Sequence, residues 1–300
     1  MSAQGIQRPS RGIALIIVLW VLVLLTIVVG TFSVLARTES MQSRFLFDTT
    51  QARYAAEAGL HRAVFELRNP DFETRWVPDG REYTMPFGDA EVSIRITDET
   101  GKVDLNAATG ELLTDLFLAH GMEPESAWQL ADAIQDWREP GDVPRLYGAK
   151  DDEYRRAGYP YGPRNAPFES VDELQQVIGV SWELYRQLQH LFTVHSGRGQ
   201  VNPAFAPVDV LMALPEMDRA SAESFVSERE MMHPSDPGQL MLPDGTPVAL
   251  QAGGLTFSIR SRATLSSGTW SQIEATIRLG TDSQGRPFRI VRWRDNFEES

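Results

Sequence analysis

Cysteine is absent from the 300 residues of this chain. Disulfide bonds, thiol nucleophiles and cysteine-based zinc sites are therefore excluded. Positive charge is scarce, since 28 Lys and Arg residues stand against 41 Asp and Glu residues, and the formal net charge is −13. Nucleic-acid binding draws its affinity from Lys and Arg, so this balance argues against a nucleic-acid partner and is compatible with divalent cations. The 42% hydrophobic and 23% charged residues are typical of a folded protein.

Recognisable catalytic motifs are also missing. The chain contains no GxSxG elbow, no phosphate-binding P-loop and no Rossmann turn. Its five histidines do not show the His-x-x-x-His spacing of a zinc site. We therefore expect a protein that is not an enzyme.

Charge is absent from Ile13 to Ala36, a run of 24 residues that would form about 36 Å of helix. A bilayer core needs about 20 apolar residues, whereas the apolar region of a cleavable signal peptide has only about 7–15. Arg8 and Arg11 precede the run, and no acidic residue occurs before Glu39. The positive-inside rule therefore predicts a single membrane span, with residues 1–12 in the cytoplasm and the rest of the chain outside.

The residues at the start of the apolar run form a pattern that a simple membrane anchor does not require. The stretch "SRGIALII" has a short basic leader that ends in Gly12, directly before the apolar helix. It resembles the processing site of type IV prepilins. This resemblance implies cleavage after Gly12 and N-methylation of Ile13 by a prepilin peptidase. A plain anchor with a chance glycine, or a signal peptide cut near Ala36, remain the alternatives.

One residue that most pilins carry is missing. The fifth mature residue is usually Glu, and here it is Ile17. In pilins that Glu is thought to pair with the N-terminal amine of a neighbouring subunit, because a lone carboxylate in the bilayer is costly. A subunit at the tip of a filament has no neighbour ahead of it. The loss of Glu is thus typical of the K-type minor pseudopilins of type II secretion.

The rest of the chain predicts an α+β protein with a pilin-like fold. A long N-terminal helix packs on an antiparallel sheet, and a large all-α insert with helix-hairpin-helix-like units interrupts the sheet. A short hairpin with Gly88 in its turn is expected within "EYTMPFGDAEVSIRITDE". The predicted organisation is a cleaved leader at 1–12, a transmembrane and amphipathic helix at 13–67, the first part of the β domain at 68–98, the helical insert at 99–235, and the second part of the β domain at 236–300.

The insert shows internal similarity between "GKVDLNAATGELL" and "GQVNPAFAPVDVL", each with a valine and an asparagine, Asn106 and Asn202. A third helix–turn–helix segment, with Gly179 in its turn, lies between them. Helix-hairpin-helix modules often bind DNA through a Gly-x-Gly turn. None of the three turns here has Gly-x-Gly, and lysine is almost absent from the insert. Packing modules are therefore favoured over DNA binding.

Acidic residues concentrate between Asp132 and Glu153, around the Pro- and Gly-rich loop "QDWREPGDVPRLYGAKDDEY". Calcium binds six to eight oxygens, largely from carboxylates and backbone carbonyls. A solvated acidic loop would show the same composition, and the fixed spacing of an EF-hand is missing. The candidate calcium ligands are Asp136, Asp142, Asp151 and Asp152.

Taken together, the leader, the missing Glu, the long helix and the segments from "GKVDLNAA" to "TVHSGRGQVNPAFAPVDVL" resemble the type II secretion system protein K family. The resemblance implies a minor pseudopilin at the tip of a periplasmic pseudopilus. It also implies bound calcium, contact with minor pseudopilins I and J, the major pseudopilin and the inner-membrane assembly platform, initiation of pseudopilus assembly, and support of protein export across the outer membrane. A minor pilin of a type IV pilus-like machine and a membrane-anchored periplasmic binding module are the alternatives.

Overall fold

A long N-terminal helix is the first element of the fold. The computed structural model describes residues 11–71, 73–232, 240–250, 253–281 and 285–295. Helix α1 runs from Arg11 to Leu67, and its 57 residues span about 86 Å. Residues 1–10 of the predicted leader lie outside the described residues.

The C-terminal part of α1 packs on a five-stranded antiparallel sheet. The strands are β1 (Asp79–Phe87), β2 (Ala90–Asp98), β7 (Thr256–Leu265), β8 (Trp270–Leu279) and β9 (Phe288–Asp295). They lie side by side in the order β1-β2-β7-β8-β9. β1 and β2 form the predicted hairpin, with Gly88 at a φ of 60° in the turn. The predicted pilin-like α+β fold is confirmed.

Small residues bring α1 close to the sheet. Ala52, Ala56 and Ala63 are fully buried and lie on one side of the helix. Gly59 is needed there, since a Cβ atom would overlap the Ser261 side chain and would lie 2.7 Å from Val92 Cγ1. The core between α1 and the sheet is therefore thin and closely packed.

The helical insert lies in the chain between β2 and β7 and has its own hydrophobic core. Its helices and short strands are β3 (Val103–Asp104), α2 (Gly110–Ala119), α3 (Pro124–Arg138), α4 (Asp151–Arg156), α5 (Trp182–Leu188), β4 (Phe192–Thr193), α6 (Val208–Leu211), α7 (Arg219–Met231), β5 (Leu240–Met241) and β6 (Pro247–Val248). Short 3-10 turns cover Glu99–Gly101, Val171–Gln176 and Gln189–Leu191. β3 and β4 pair in parallel, and β5 and β6 pair antiparallel.

The internal repeat of the insert has a structural basis. An arginine at or near the end of a long helix holds two carbonyl oxygens of the segment that leads into the repeat. The bonds run from Arg138 to Leu105 and Ala108, at 2.6 and 2.8 Å, and from Arg229 to Pro203 and Ala206, at 3.0 and 2.8 Å. Asp104 and Asn202 each accept a bond from the amide two residues on. Asn202 thus corresponds to Asp104, and the expected match with Asn106 is wrong by two residues.

The three predicted helix–turn–helix units share one turn geometry. A residue with positive φ stands three positions before the next helix begins: Gly121 at 82°, Gly179 at 89° and Glu216 at 59°. Glycine adopts this left-handed backbone readily, whereas a residue with a Cβ atom does so at a cost. Glu216 is therefore the strained member of the three turns.

Candidate functional site

The first surface of interest is the N-terminal part of α1, which projects from the folded domains. Large apolar side chains from Leu15 to Phe47 are exposed, and Ile17 is 57% exposed. α1 is the one helix of the described chain that is long and apolar enough to cross a membrane, with a mean window hydropathy of 3.0. The hydroxyls of Thr26 and Thr31 donate to the carbonyls of the preceding turn, at 2.8 Å, so they bring no unpaired donor into lipid.

Gly12 and Ile13, the predicted cleavage and methylation positions, lie in the first turn of α1. Ile17 follows in the next turn, on the exposed apolar part of the helix. The structure places these residues at the start of the exposed apolar part of α1. Processing at this position stays a prediction.

Beyond the apolar run, α1 carries an aromatic stripe on the side away from the sheet. Phe47, Tyr54 and Phe65 are spaced by seven and eleven residues, which places them on one face of a helix. Their exposed fractions are 69%, 62% and 66%. An aromatic stripe of this kind is suited to contact with another helix.

The second surface is the acidic loop that joins α3 to α4. Asp136 lies at the end of α3, is 2% exposed, and accepts a hydrogen bond from the Arg145 amide at 3.0 Å. Its carboxylate packs against Gly148, where a Cβ atom would overlap it. Burial raises the pKa of Asp136, and this amide together with the charges of Lys150 and Arg145 partly offsets the shift. Asp136 therefore organises the loop from inside.

The other three candidate calcium ligands do not join Asp136. Asp142 is exposed on the loop, and Asp151 begins α4 with its carboxylate against Gly162. Asp152 is exposed and pairs with Arg155 at 2.8 Å. Among the described residues, no three His, Asp or Glu side chains form a group that could hold a metal ion. In this conformation the four carboxylates do not fit one calcium ion, and calcium binding stays a prediction.

A lysine that the sequence analysis did not single out occupies the centre of this loop. The Lys150 side chain is 4% exposed, and its ammonium donates to Asp136 O at 2.6 Å, Glu139 O at 2.7 Å and Asn165 Oδ1 at 2.8 Å. These bonds tie the end of α3, the loop and a second loop to one buried cation. The rarity of lysine is the one hint in the sequence, since the chain has two lysines, Lys102 and Lys150, but composition does not indicate which groups the ammonium binds.

Buried carboxylates join the insert to the sheet. Glu99, directly after β2, accepts hydrogen bonds from Lys102 and Ser258 at 2.7 Å each, and from Thr193 of β4. Burial acts to raise the pKa of Glu99, but the Lys102 charge and the hydrogen bonds outweigh it, and the net pKa is lowered. Asp98 accepts from the Gly254 amide at 2.6 Å, and burial raises its pKa. This junction connects β2, β4 and β7, and so sets how the insert sits on the sheet.

A family model and two curated relatives that resemble this chain share one description. The family model "Type II secretion system (T2SS), protein K" matches residues 94–197. A type II secretion system protein K from Klebsiella pneumoniae is 29% identical over 61% of this chain, and the match spans 62% of that relative, less than two thirds of its length. One from Pectobacterium carotovorum subsp. carotovorum is 26% identical over 75% of this chain and 77% of its own length.

A solved structure shares the fold. A chain in the crystal structure of the GspK-GspI-GspJ complex from enterotoxigenic Escherichia coli matches with a TM-score of 0.56 at 17% identity. The match covers 88% of this chain and 99% of that chain, so it includes the sheet as well as the insert. The family match at residues 94–197 and the sequence relatives agree that the chain is similar to type II secretion system protein K, and the solved structure shows the same fold.

Proposed function

We propose that the chain is a minor pseudopilin at the tip of the type II secretion pseudopilus. In this role it is an assembly subunit without enzymatic activity, which initiates the pseudopilus with minor pseudopilins I and J and supports export across the outer membrane. The observation that carries the proposal is the exposed apolar part of α1 with Ile17 in place of a carboxylate, joined to a domain with a large insert. A filament subunit needs the helix, and the insert would obstruct packing in the middle of a filament.

The proposed topology follows from α1. The uncharged segment after Arg11 spans the inner membrane, residues 1–12 are cytoplasmic, and the sheet and insert are periplasmic. A prepilin peptidase removes the leader after Gly12 and methylates Ile13. The mature helix then leaves the bilayer with the help of the inner-membrane assembly platform, and the major pseudopilin is added below it.

The proposed contact with pseudopilins I and J uses the aromatic stripe of α1. Phe47, Tyr54 and Phe65 face away from the sheet and are not covered by the described residues. When another helix packs on such a stripe, burial of each large aromatic side chain contributes about 2 kcal/mol to binding. The solved chain whose fold this chain shares was crystallised in a complex with GspI and GspJ, which supports the choice of partners.

Co-purification from membranes tests the partner contact. We expect Phe47→Glu with Tyr54→Glu to abolish recovery of pseudopilins I and J, because two charges would enter an apolar helix interface. The matched control is Trp182→Glu, a similar change at an exposed residue of the insert. Full recovery of both partners by the double variant would refute the proposed interface.

Processing and secretion in a strain that lacks the native gene test the assembly role. We expect Gly12→Trp to block N-terminal maturation and export. Ile17→Glu is not expected to improve either, because a tip subunit has no neighbour ahead of it to pair with the carboxylate. Normal maturation of Gly12→Trp would indicate an anchored binding module, and improved assembly of Ile17→Glu would indicate a subunit inside the filament.

A further inference from the structure

The sheet carries a basic surface on the face turned away from α1. Strand register places seven arginines on this outer face, in a chain whose net charge is −13. They are Arg95, Arg260, Arg262, Arg278, Arg289, Arg292 and Arg294. In one row of cross-strand neighbours, each of the five strands contributes a charged residue: Glu82, Arg95, Arg260, Glu274 and Arg294.

Five of the seven arginines form an ion pair or a cation–π contact within the protein. The contacts are Arg95 with Glu82 at 3.1 Å, Arg260 with Glu274 at 3.2 Å, Arg262 over the Trp270 ring at 4.5 Å, and Arg292 and Arg294 with Asp172 of the insert at 3.3 and 3.4 Å. Arg292 and Arg294 therefore join the sheet to the insert, whereas the other three contact residues of the sheet itself.

Arg278 and Arg289 differ from the other five because they lack such a partner among the described residues. They stand directly opposite each other on β8 and β9 and are both exposed. Neither forms a hydrogen bond, an ion pair or a ring contact within the described part of the chain. Like charges directly opposite each other in a sheet are destabilising, so the fold keeps this pair at a cost.

The two arginines line a cleft of about 290 Å³ between the sheet and the insert. Its other walls include His195, Thr256 and Val291. Burial lowers the pKa of His195, so its ring is neutral at pH 7 and still has one N–H to donate. The two carboxylates whose charges act on its pKa, Glu99 and Asp104, already accept hydrogen bonds from Lys102, Thr193, Ser258, Ser196 and the Gly197 amide. Among the described residues, no carboxylate forms an ion pair with Arg278 or Arg289.

We propose that Arg278 and Arg289 bind the carboxylates of an acidic protein segment that enters this cleft. Two guanidinium groups side by side match carboxylates in charge and in geometry. A volume of about 290 Å³ admits a side chain and its neighbouring backbone, and is small for a whole organic ligand. β9 is the edge strand of the sheet, so an extended segment can run alongside it. The site is separate from the aromatic stripe of α1.

Fluorescence anisotropy with a labelled hexaglutamate peptide tests the site on the full chain in neutral detergent micelles. We expect the wild type to bind the peptide at 50 mM NaCl. Arg278→Gln with Arg289→Gln should weaken binding at least tenfold, and the melting temperature should not fall, because a like-charge pair is removed. Arg155→Gln with Arg156→Gln makes the same change of charge on exposed positions of α4 and should leave binding unchanged.

Three results would overturn the proposal. The first is no binding of hexaglutamate to the wild type. The second is equal weakening in the α4 control, which would indicate general attraction to positive charge. The third is displacement of the peptide by inorganic phosphate at an equal concentration of anion, which would indicate a site for small oxyanions. The assay needs neither the membrane nor other secretion proteins, so its failure leaves the proposed function in place.

Discussion

Replacement of Lys150 by Met should open the acidic loop of the insert. Methionine keeps most of the aliphatic volume of lysine and removes the ammonium, so packing changes little. Asp136 O, Glu139 O and Asn165 Oδ1 then lose their common donor in a site where the side chain was 4% exposed. The variant therefore isolates the contribution of the buried cation.

The expected loss is about 3 kcal/mol of unfolding free energy. A hydrogen bond to a charged group contributes roughly 1.5–3 kcal/mol, and the three bonds are not additive because they share one donor group. Removal of one member of a buried charged cluster typically costs about 3–5 kcal/mol, and release of the ammonium from its buried site offsets a part of this. For a domain of this size, about 3 kcal/mol corresponds to a fall of roughly 6–12 °C in melting temperature.

Thermal unfolding of the full chain in micelles measures the effect, and limited proteolysis reports whether the loop around residues 139–149 has opened. Arg155→Met removes an exposed cation from the adjacent helix and should change stability by less than about 0.5 kcal/mol. Without the Lys150 charge the pKa of Asp136 should rise further. A raised carboxyl pKa destabilises the folded state at pH values where the carboxyl ionises in the unfolded chain, and this loss disappears in acid. The difference in stability between the variant and the wild type should therefore shrink toward pH 4. A Lys150→Met variant as stable and as protease-resistant as the control would refute this reasoning.

Other changes test the turn, the junction and the calcium prediction. Glu216→Gly should raise stability by about 0.5–1 kcal/mol in thermal unfolding, because the left-handed backbone costs a glycine less; a loss of stability would contradict the strain at this turn. Glu99→Gln should be destabilising at pH 7. Because the folded pKa of Glu99 is lowered, the difference from the wild type should shrink as pH falls below the ordinary value of 4.5, and melting curves that stay parallel down to pH 3 would contradict the shift. If the acidic loop binds calcium, 1 mM calcium should raise the melting temperature of the wild type but not of Asp142→Asn with Asp151→Asn; equal melting temperatures with and without calcium would contradict that prediction.

Patterns that are local in the chain were read correctly from the sequence. The apolar run, the alternation of Val92, Ile94 and Ile96, and Gly88 between two strands predict a long helix and a hairpin, because side-chain period and turn chemistry are set by near neighbours. The three hairpin turns of the insert are predicted by the same kind of local pattern, since each depends on a few consecutive residues.

Tertiary structure decided how distant polar residues are used. The sequence predicts Asp136 and Asp151 as ligands of one ion, because their carboxylates are close in the chain. In the fold the two carboxylates lie apart in their contacts, since Asp136 packs against Gly148 and Asp151 against Gly162. Lys150 gave no local signal of its role, since its three acceptors come from the end of α3 and from two loops. The pairing of Arg278 with Arg289 likewise exists only through strand register. The amino-acid sequence by itself determined the long apolar helix, the strands and the similarity to type II secretion system protein K, whereas charge pairing across the fold depends on distances that only packing sets.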